Sequence, residues 1–114
     1  MIQVFMNIIN NSIDAFENKS YNKFIFFETE KFGNKILIKI KDNAGGIPEN
    51  IIDRIFEPYF TTKESKQGTG IGLYMCNEII VKHLDGKILV TNESFEYLNQ
   101  KCIGSQFTIE LPTT

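Results

Sequence analysis

The sequence predicts an α+β two-layer domain, with helices laid outside an antiparallel-rich sheet. Three observations carry that expectation. The chain opens on an apolar stretch without Pro or Gly, and residues 35–41 read KILIKIK with strict alternation. The segments then follow as helix, two strands, short helix, loop, helix and two strands, which does not suit a doubly wound sheet. At 114 residues and 13.1 kDa the chain is enough for one compact domain and leaves no room for a second.

Residues 2–17 form the first expected helix. Asn7, Asn11, Asp14 and Asn18 lie on it at i, i+4, i+7 and i+11, a stripe about 60° wide at roughly 100° per residue. Ile2, Val4, Phe5, Ile8, Ile9, Ile13 and Phe16 cover most of the rest, so the helix is expected to be buried on most sides. Residues 23–30 (KFIFFETE) and 35–41 are expected strands, with Gly33-Asn34 as their turn. In the second strand Ile36, Ile38 and Ile40 share one face, and Lys35, Lys39 and Lys41 the other. It ends at DNAGGIPEN and leads to a short helix over residues 49–56, opened by Pro48. Residues 57–69 have no period and read as a loop. GTGIG starts another helix over residues 71–84, which Asp85-Gly86 stops. Residues 87–91 and 106–111 are the last strands, closed by Pro112.

Composition removes several chemistries. Lys plus Arg is 12 and Asp plus Glu 14, a net charge of −2, which argues against nucleic-acid binding by bulk charge. No apolar run approaches the roughly 20 residues of a membrane helix, and the N-terminus makes a poor signal peptide. Cys76 and Cys102 are too few and too far apart for a disulfide scaffold or zinc site, so a reduced cytoplasmic setting is expected. With His83 the single histidine, a Ser-His-Asp triad or two-His metal site has nothing to stand on.

Three features carry chemistry, and each has a plain alternative. The Asn stripe is either a solvated helix face or an edge of hard oxygen donors of the kind Mg²⁺ takes. Asp42 before Ala44-Gly45-Gly46 is either turn chemistry or a carboxylate fixed at a sheet end, beside backbone that a flat ligand can approach. Such a carboxylate accepts adenine's exocyclic amine and cannot accept from guanine's carbonyl. Gly68-Thr69-Gly70-Ile71-Gly72 is either a hinge or a phosphate cradle at a helix start, with Lys63 and Lys66 just upstream. His83 reads as a helix-end residue favoured by the dipole, and both cysteines read as packing.

In order, the chain offers NIINNSIDAF, DNAGGIP, IFEPYFTTK, GTGIGL and GSQF. Together these resemble the N box, first glycine box, F box, second glycine box and last glycine box of the catalytic ATP-binding domain of sensor histidine kinases, in the superfamily of the gyrase, Hsp90 and MutL ATPases. The resemblance runs from about Ile2 to Pro112. It implies a Bergerat-type two-layer sandwich over residues 1–114, with a mixed, mostly antiparallel sheet and helices on one face. The strand and helix that normally precede the N box are expected to be missing, leaving an unpaired edge or apolar patch. It implies ATP and Mg²⁺ as cofactors. Asn11 aligns with the Mg²⁺ ligand, and Asn7, Asn11 and Lys63 are the expected catalytic residues. Asp42 aligns with the aspartate that takes the adenine amino group, and Gly46 borders its pocket with Ile47. Gly68, Gly70 and Gly72 are expected to hold the triphosphate, with Thr69, Ile71 and Leu73 beside them. Residues 48–67 correspond to the ATP lid, in which Phe60, Thr61 and Lys63 face the nucleotide and Phe56 and Phe60 are packing anchors.

Two departures stand out. Ala44 replaces the first glycine of the usual D-x-G-x-G, at a cost of about 1 kcal/mol if that position needs φ > 0, although Gly45 is expected to keep the turn feasible. Ser12 stands where the family commonly has Ala. The hydrolytic relatives carry a glutamate four residues before the Mg²⁺ asparagine, whereas this chain has Asn7, and an amide cannot act as a general base. The resemblance therefore implies a kinase that passes the γ-phosphate to a histidine on a separate dimerisation domain, in cis or trans, and thereby indirectly to a response regulator. His83 is not that acceptor. No nucleic acid and no direct membrane insertion are expected; anchoring of a parent protein stays open. The competing hypothesis is a non-catalytic nucleotide-binding or interaction module, with an ATP-hydrolysing member of the superfamily behind it.

Overall fold

The computed structural model describes residues 1–58 and 72–113. Its elements are α1 (Ile2–Ala15), β1 (Ile25–Phe32), β2 (Lys35–Asp42), a 3₁₀ turn (Ile52–Arg54), α2 (Gly72–Glu78), a π-helical turn (Ile79–His83), β3 (Lys87–Tyr97) and β4 (Gln100–Pro112). The strands form one sheet in the order β1-β2-β4-β3. All three pairings are antiparallel. Ile40 of β2, Ile88 of β3 and Phe107 and Ile109 of β4 meet Val4 and Ile8 of α1, and Cys76 and Ile80 beyond it. Both helices thus cover one face of the sheet, as the alternation of β2 requires.

Several boundaries differ from expectation, each for a local reason. The last two strands are far longer than residues 87–91 and 106–111. Their hairpin turns at Leu98 and Asn99, both left-handed (φ 52° and 64°), a turn usually made by Asn-Gly. Leu in that place hides the signal. The second helix does not run as α-helix to Leu84. It widens into the π turn, where the Leu84 N–H reaches back to the Ile79 carbonyl at 3.1 Å. The β-branched Ile79-Ile80-Val81 run lies within it, and such residues crowd a regular helix. Asp85 is left-handed (φ 58°) and ends it, as the sequence predicts. The expected helix over 49–56 is only the 3₁₀ turn, because the Pro48 carbonyl takes the N–H groups of both Ile51 and Ile52. Ile55 is then buried, and the Phe56 ring meets Phe107 edge-on at 6.2 Å, so Phe56 is the packing anchor expected.

The first helix is shorter and less buried than its composition implies. It ends at Ala15, and Asn18 turns left-handed (φ 68°) beyond it, so Asn18 leaves the stripe. Val4, Ile8 and Ser12 are its buried residues, while Ile2, Met6 and Ile13 stay exposed, Ile2 at 80%. Among the described residues β1 pairs with β2 alone and forms one edge of the sheet.

Candidate functional site

Asp42 closes β2 with only 3% of its surface exposed. Its Oδ1 accepts the Ala44 N–H at 3.0 Å and the Ser105 N–H at 3.2 Å. Its Oδ2 accepts the Ser12 hydroxyl at 2.7 Å and the Ser105 hydroxyl at 3.4 Å. A loop, a helix and a strand therefore converge on one carboxylate and use about all four of its acceptor positions. Charge-assisted hydrogen bonds of this kind are roughly twice as strong as neutral ones.

The approach of β4 depends on Gly104. A Cβ there would overlap the backbone carbonyl of Asp42 and lie 2.7 Å from its Oδ1. Gly104 in GSQF thus lets one strand pass against another, and places Ser105 on the carboxylate.

Beyond Asp42 the chain turns through Gly45 (φ 103°) and Gly46 (φ 85°). The Gly45 N–H donates to the Ile103 carbonyl at 2.9 Å. Ala44 is buried and is not among the non-glycine residues with positive φ. The left-handed conformations fall on the two glycines, so alanine fits without strain. Ile103, 56% exposed, lies beside this turn as an apolar surface.

Two asparagines tie the turn down. The Asn43 side chain accepts the Phe24 N–H at 2.8 Å and donates to the Asn22 carbonyl at 2.9 Å. Its backbone carbonyl accepts the Tyr21 hydroxyl at 2.9 Å. Partial burial, reinforced by Asp42 and Cys102, pushes the Tyr21 phenol up, so it stays a neutral donor. On the far side the Asn92 amide donates to the Ile47 carbonyl at 2.7 Å and accepts the Ile47 N–H at 2.8 Å.

Asn7 and Asn11 are half-buried on α1, one turn apart. Asn7 donates to the Gly72 carbonyl at 3.1 Å, bracketing α1 to α2. Burial raises the Cys76 thiol, with an opposing hydrogen bond from Asn7, and its Sγ faces the Val4 carbonyl at 3.7 Å. Asn11 directly precedes Ser12, so the expected metal ligand and the Asp42 contact occupy adjacent positions on α1. Leu73 packs against the core. His83 is exposed at the end of the π turn.

The structure thus brings Asp42, Gly46 and Ile47 into one corner, and Asn7 to Gly72. Phe60, Thr61, Lys63, Gly68, Thr69, Gly70 and Ile71 lie outside the described residues. So do Lys66 and the part of the expected lid beyond Pro58. Sequence reasoning missed the partners of Asp42. Ser12 was visible only as a replaced alanine, and Ser105 only inside GSQF. Nothing singled out Asn43 or Asn92.

A profile described as histidine kinase-, DNA gyrase B-, and HSP90-like ATPase matches residues 1–114. Sporulation kinase C of Bacillus subtilis is 34% identical over 110 residues, covering 96% of this chain and 23% of that protein. A probable C4-dicarboxylate sensor kinase of Halalkalibacterium halodurans is 37% identical over 117 aligned positions, covering 98% and 20%. The chain therefore spans about a quarter or less of these curated relatives. Among solved structures, the nucleotide-free catalytic domain of histidine kinase ThkA matches at TM-score 0.74 and 34% identity, over 98% of this chain and 65% of that one. Mycobacterial sensor histidine kinase MprB matches at TM-score 0.76 and 20% identity, over 96% and 70%, a likeness of fold.

Proposed function

The chain belongs to the histidine kinase-, DNA gyrase B-, and HSP90-like ATPase family, and on that premise we propose that it binds Mg-ATP and donates the γ-phosphate to a histidine on a separate dimerisation domain. The observation that carries the reading is the buried, four-fold hydrogen-bonded Asp42 beside the Gly45-Gly46 turn.

The residues present fit the nucleotide. The Ser105 hydroxyl bond to Oδ2 is long at 3.4 Å, so an amino group can replace it with little loss while the other three donors keep the carboxylate fixed. A carboxylate held in this way accepts an N–H and repels a carbonyl, which selects adenine over guanine. Gly46 and Ile103 supply the flat, partly apolar side against which a base is expected to lie. The donor set also fits Mg²⁺, which takes one or two protein oxygens and completes its shell with phosphate and water. Asn11 is the residue that would hold it, and the ion, when bound, neutralises phosphate charge. Gly72 and the rest of the second glycine box are assigned to the triphosphate.

Asn7 decides between transfer and hydrolysis. Its amide is bound to the Gly72 carbonyl and has no basic lone pair at neutral pH, so it cannot draw a proton from water. The bound phosphate is therefore kept for an acceptor outside this chain. His83, the one histidine, ends a helix and is not assigned that role. A response regulator is the expected next recipient, and the setting is read as cytoplasmic. Among the described residues no helix is long and apolar enough to cross a membrane.

Titration calorimetry with ATP and GTP in Mg²⁺ tests the base selectivity. ATP is expected to bind about tenfold or more tightly than GTP, since a site built for a hydrogen bond rejects a partner that leaves it unpaired. Equal affinities contradict the assignment of Asp42.

A further inference from the structure

The loop that leaves Asp42 does not hang free from β2. It crosses β4, where the Gly45 N–H is bound to the Ile103 carbonyl, and is caught on β3 by Asn92. In the β3–β4 register Asn92 stands opposite Ser105, itself a donor to Asp42. Asn92, Ser105 and Asp42 thus form a row across three strands, and the glycine turn spans it.

Asn92 pairs with Ile47 as a strand would, donating to the carbonyl at 2.7 Å and accepting the N–H at 2.8 Å. The same Nδ2 also faces the Glu49 carboxylate at 3.2 Å. A Cβ on Gly46 would come within 2.9 Å of Asn92 Oδ1, so the amide lies close under the turn. Ala44, Gly45 and Ile47 are therefore tethered to three different strands. Without the last tether the Ile47 end of the loop is released while Asp42 keeps all its donors.

We propose that Asn92 is a positioning residue for the nucleotide base: its side-chain amide fixes the Gly46–Ile47 backbone that walls the adenine pocket, and so sets affinity without touching the ligand. This rests on the adenine-nucleotide reading of the site. Because it acts on the wall beside the base, it affects ATP, ADP and adenosine alike.

The test is a pair of variants of the full chain. Asn92→Asp keeps size and the acceptor for the Ile47 N–H, but turns the donor into an acceptor facing a carbonyl and Glu49. Asn92→Ala removes both contacts without adding charge. Each is expected to weaken ATP, ADP and adenosine by the same factor, about tenfold, with an unchanged circular-dichroism spectrum. Amide exchange is expected to show Ile47 protected in Asn92→Asp and unprotected in Asn92→Ala, with Gly45 protected in both. Unchanged affinities in both variants overturn the proposal, as does a loss confined to the phosphorylated ligands. An unaltered chain that binds no adenine nucleotide removes the underlying reading as well, which separates the two failures.

Discussion

Gly104→Ala is expected to destabilise the chain by about 1–3 kcal/mol or more, out of all proportion to one methyl group. The added carbon would overlap the Asp42 carbonyl, which is backbone, and crowd Oδ1, a side-chain oxygen pinned by the Ala44 and Ser105 N–H groups. To make room, β4 must draw away from the end of β2. That movement breaks the Ser105 N–H bond to Asp42 and strains the Gly45 bond to Ile103. Stability and the nucleotide site are therefore lost together. Gly33→Ala is the control: Gly33 is left-handed (φ 60°) with nothing within 4 Å of its added carbon, so about 1 kcal/mol of backbone strain is expected there and binding is kept. Urea denaturation of both variants, with an ATP titration of each, gives the comparison. A Gly104→Ala chain as stable as Gly33→Ala contradicts the packing described.

Asp42→Asn is expected to weaken ATP binding severely while sparing most of the fold. Asn keeps one acceptor for the Ala44 and Ser105 N–H groups. Its amide nitrogen faces the Ser12 and Ser105 hydroxyls, which can rotate to accept. The cost to stability is then the loss of charge assistance, about 1–2 kcal/mol. For the ligand the change is a reversal, since a donor now meets the adenine amino group. A fall of about 100-fold or more is expected, from one charged hydrogen bond lost and one repulsion gained. Asp42→Ala would confuse the two effects, because it leaves two buried N–H groups and two hydroxyls without partners. Calorimetric Kd and the urea midpoint, measured on the same Asp42→Asn sample, separate binding from folding. Full ATP affinity in this variant would place the base elsewhere.

The parts of this architecture that rest on short-range signals were legible in the sequence. The Ile36-Ile38-Ile40 alternation announced β2 and its buried face, and Asp85-Gly86 announced the end of the second helix. Asp42 and the two glycines with left-handed φ were legible because turn chemistry is local. The contacts that complete the site are not local. Ser12 reaches Asp42 across 30 residues, and Asn92 reaches Ile47 across 45. Only the fold brings such pairs together, and a serine on a helix or an asparagine in a strand has no pattern that reveals its partner. The hairpin failed for another reason. Its turn is made by Leu98-Asn99, an uncommon choice for left-handed φ, so two long strands read as polar connection. Apolar content in the first helix does not translate into burial. Ile2, Met6 and Ile13 are exposed.

Phosphotransfer to a separate histidine is measured directly. The chain is mixed with γ-labelled ATP, Mg²⁺ and a helical dimerisation domain from a matched kinase that carries the acceptor histidine. Acid-labile label on the partner is expected, with little free phosphate. Asn11→Ala is expected to remove the label through loss of the metal ligand. Free phosphate released without label on the partner, or label that survives Asn11→Ala unchanged, would contradict it.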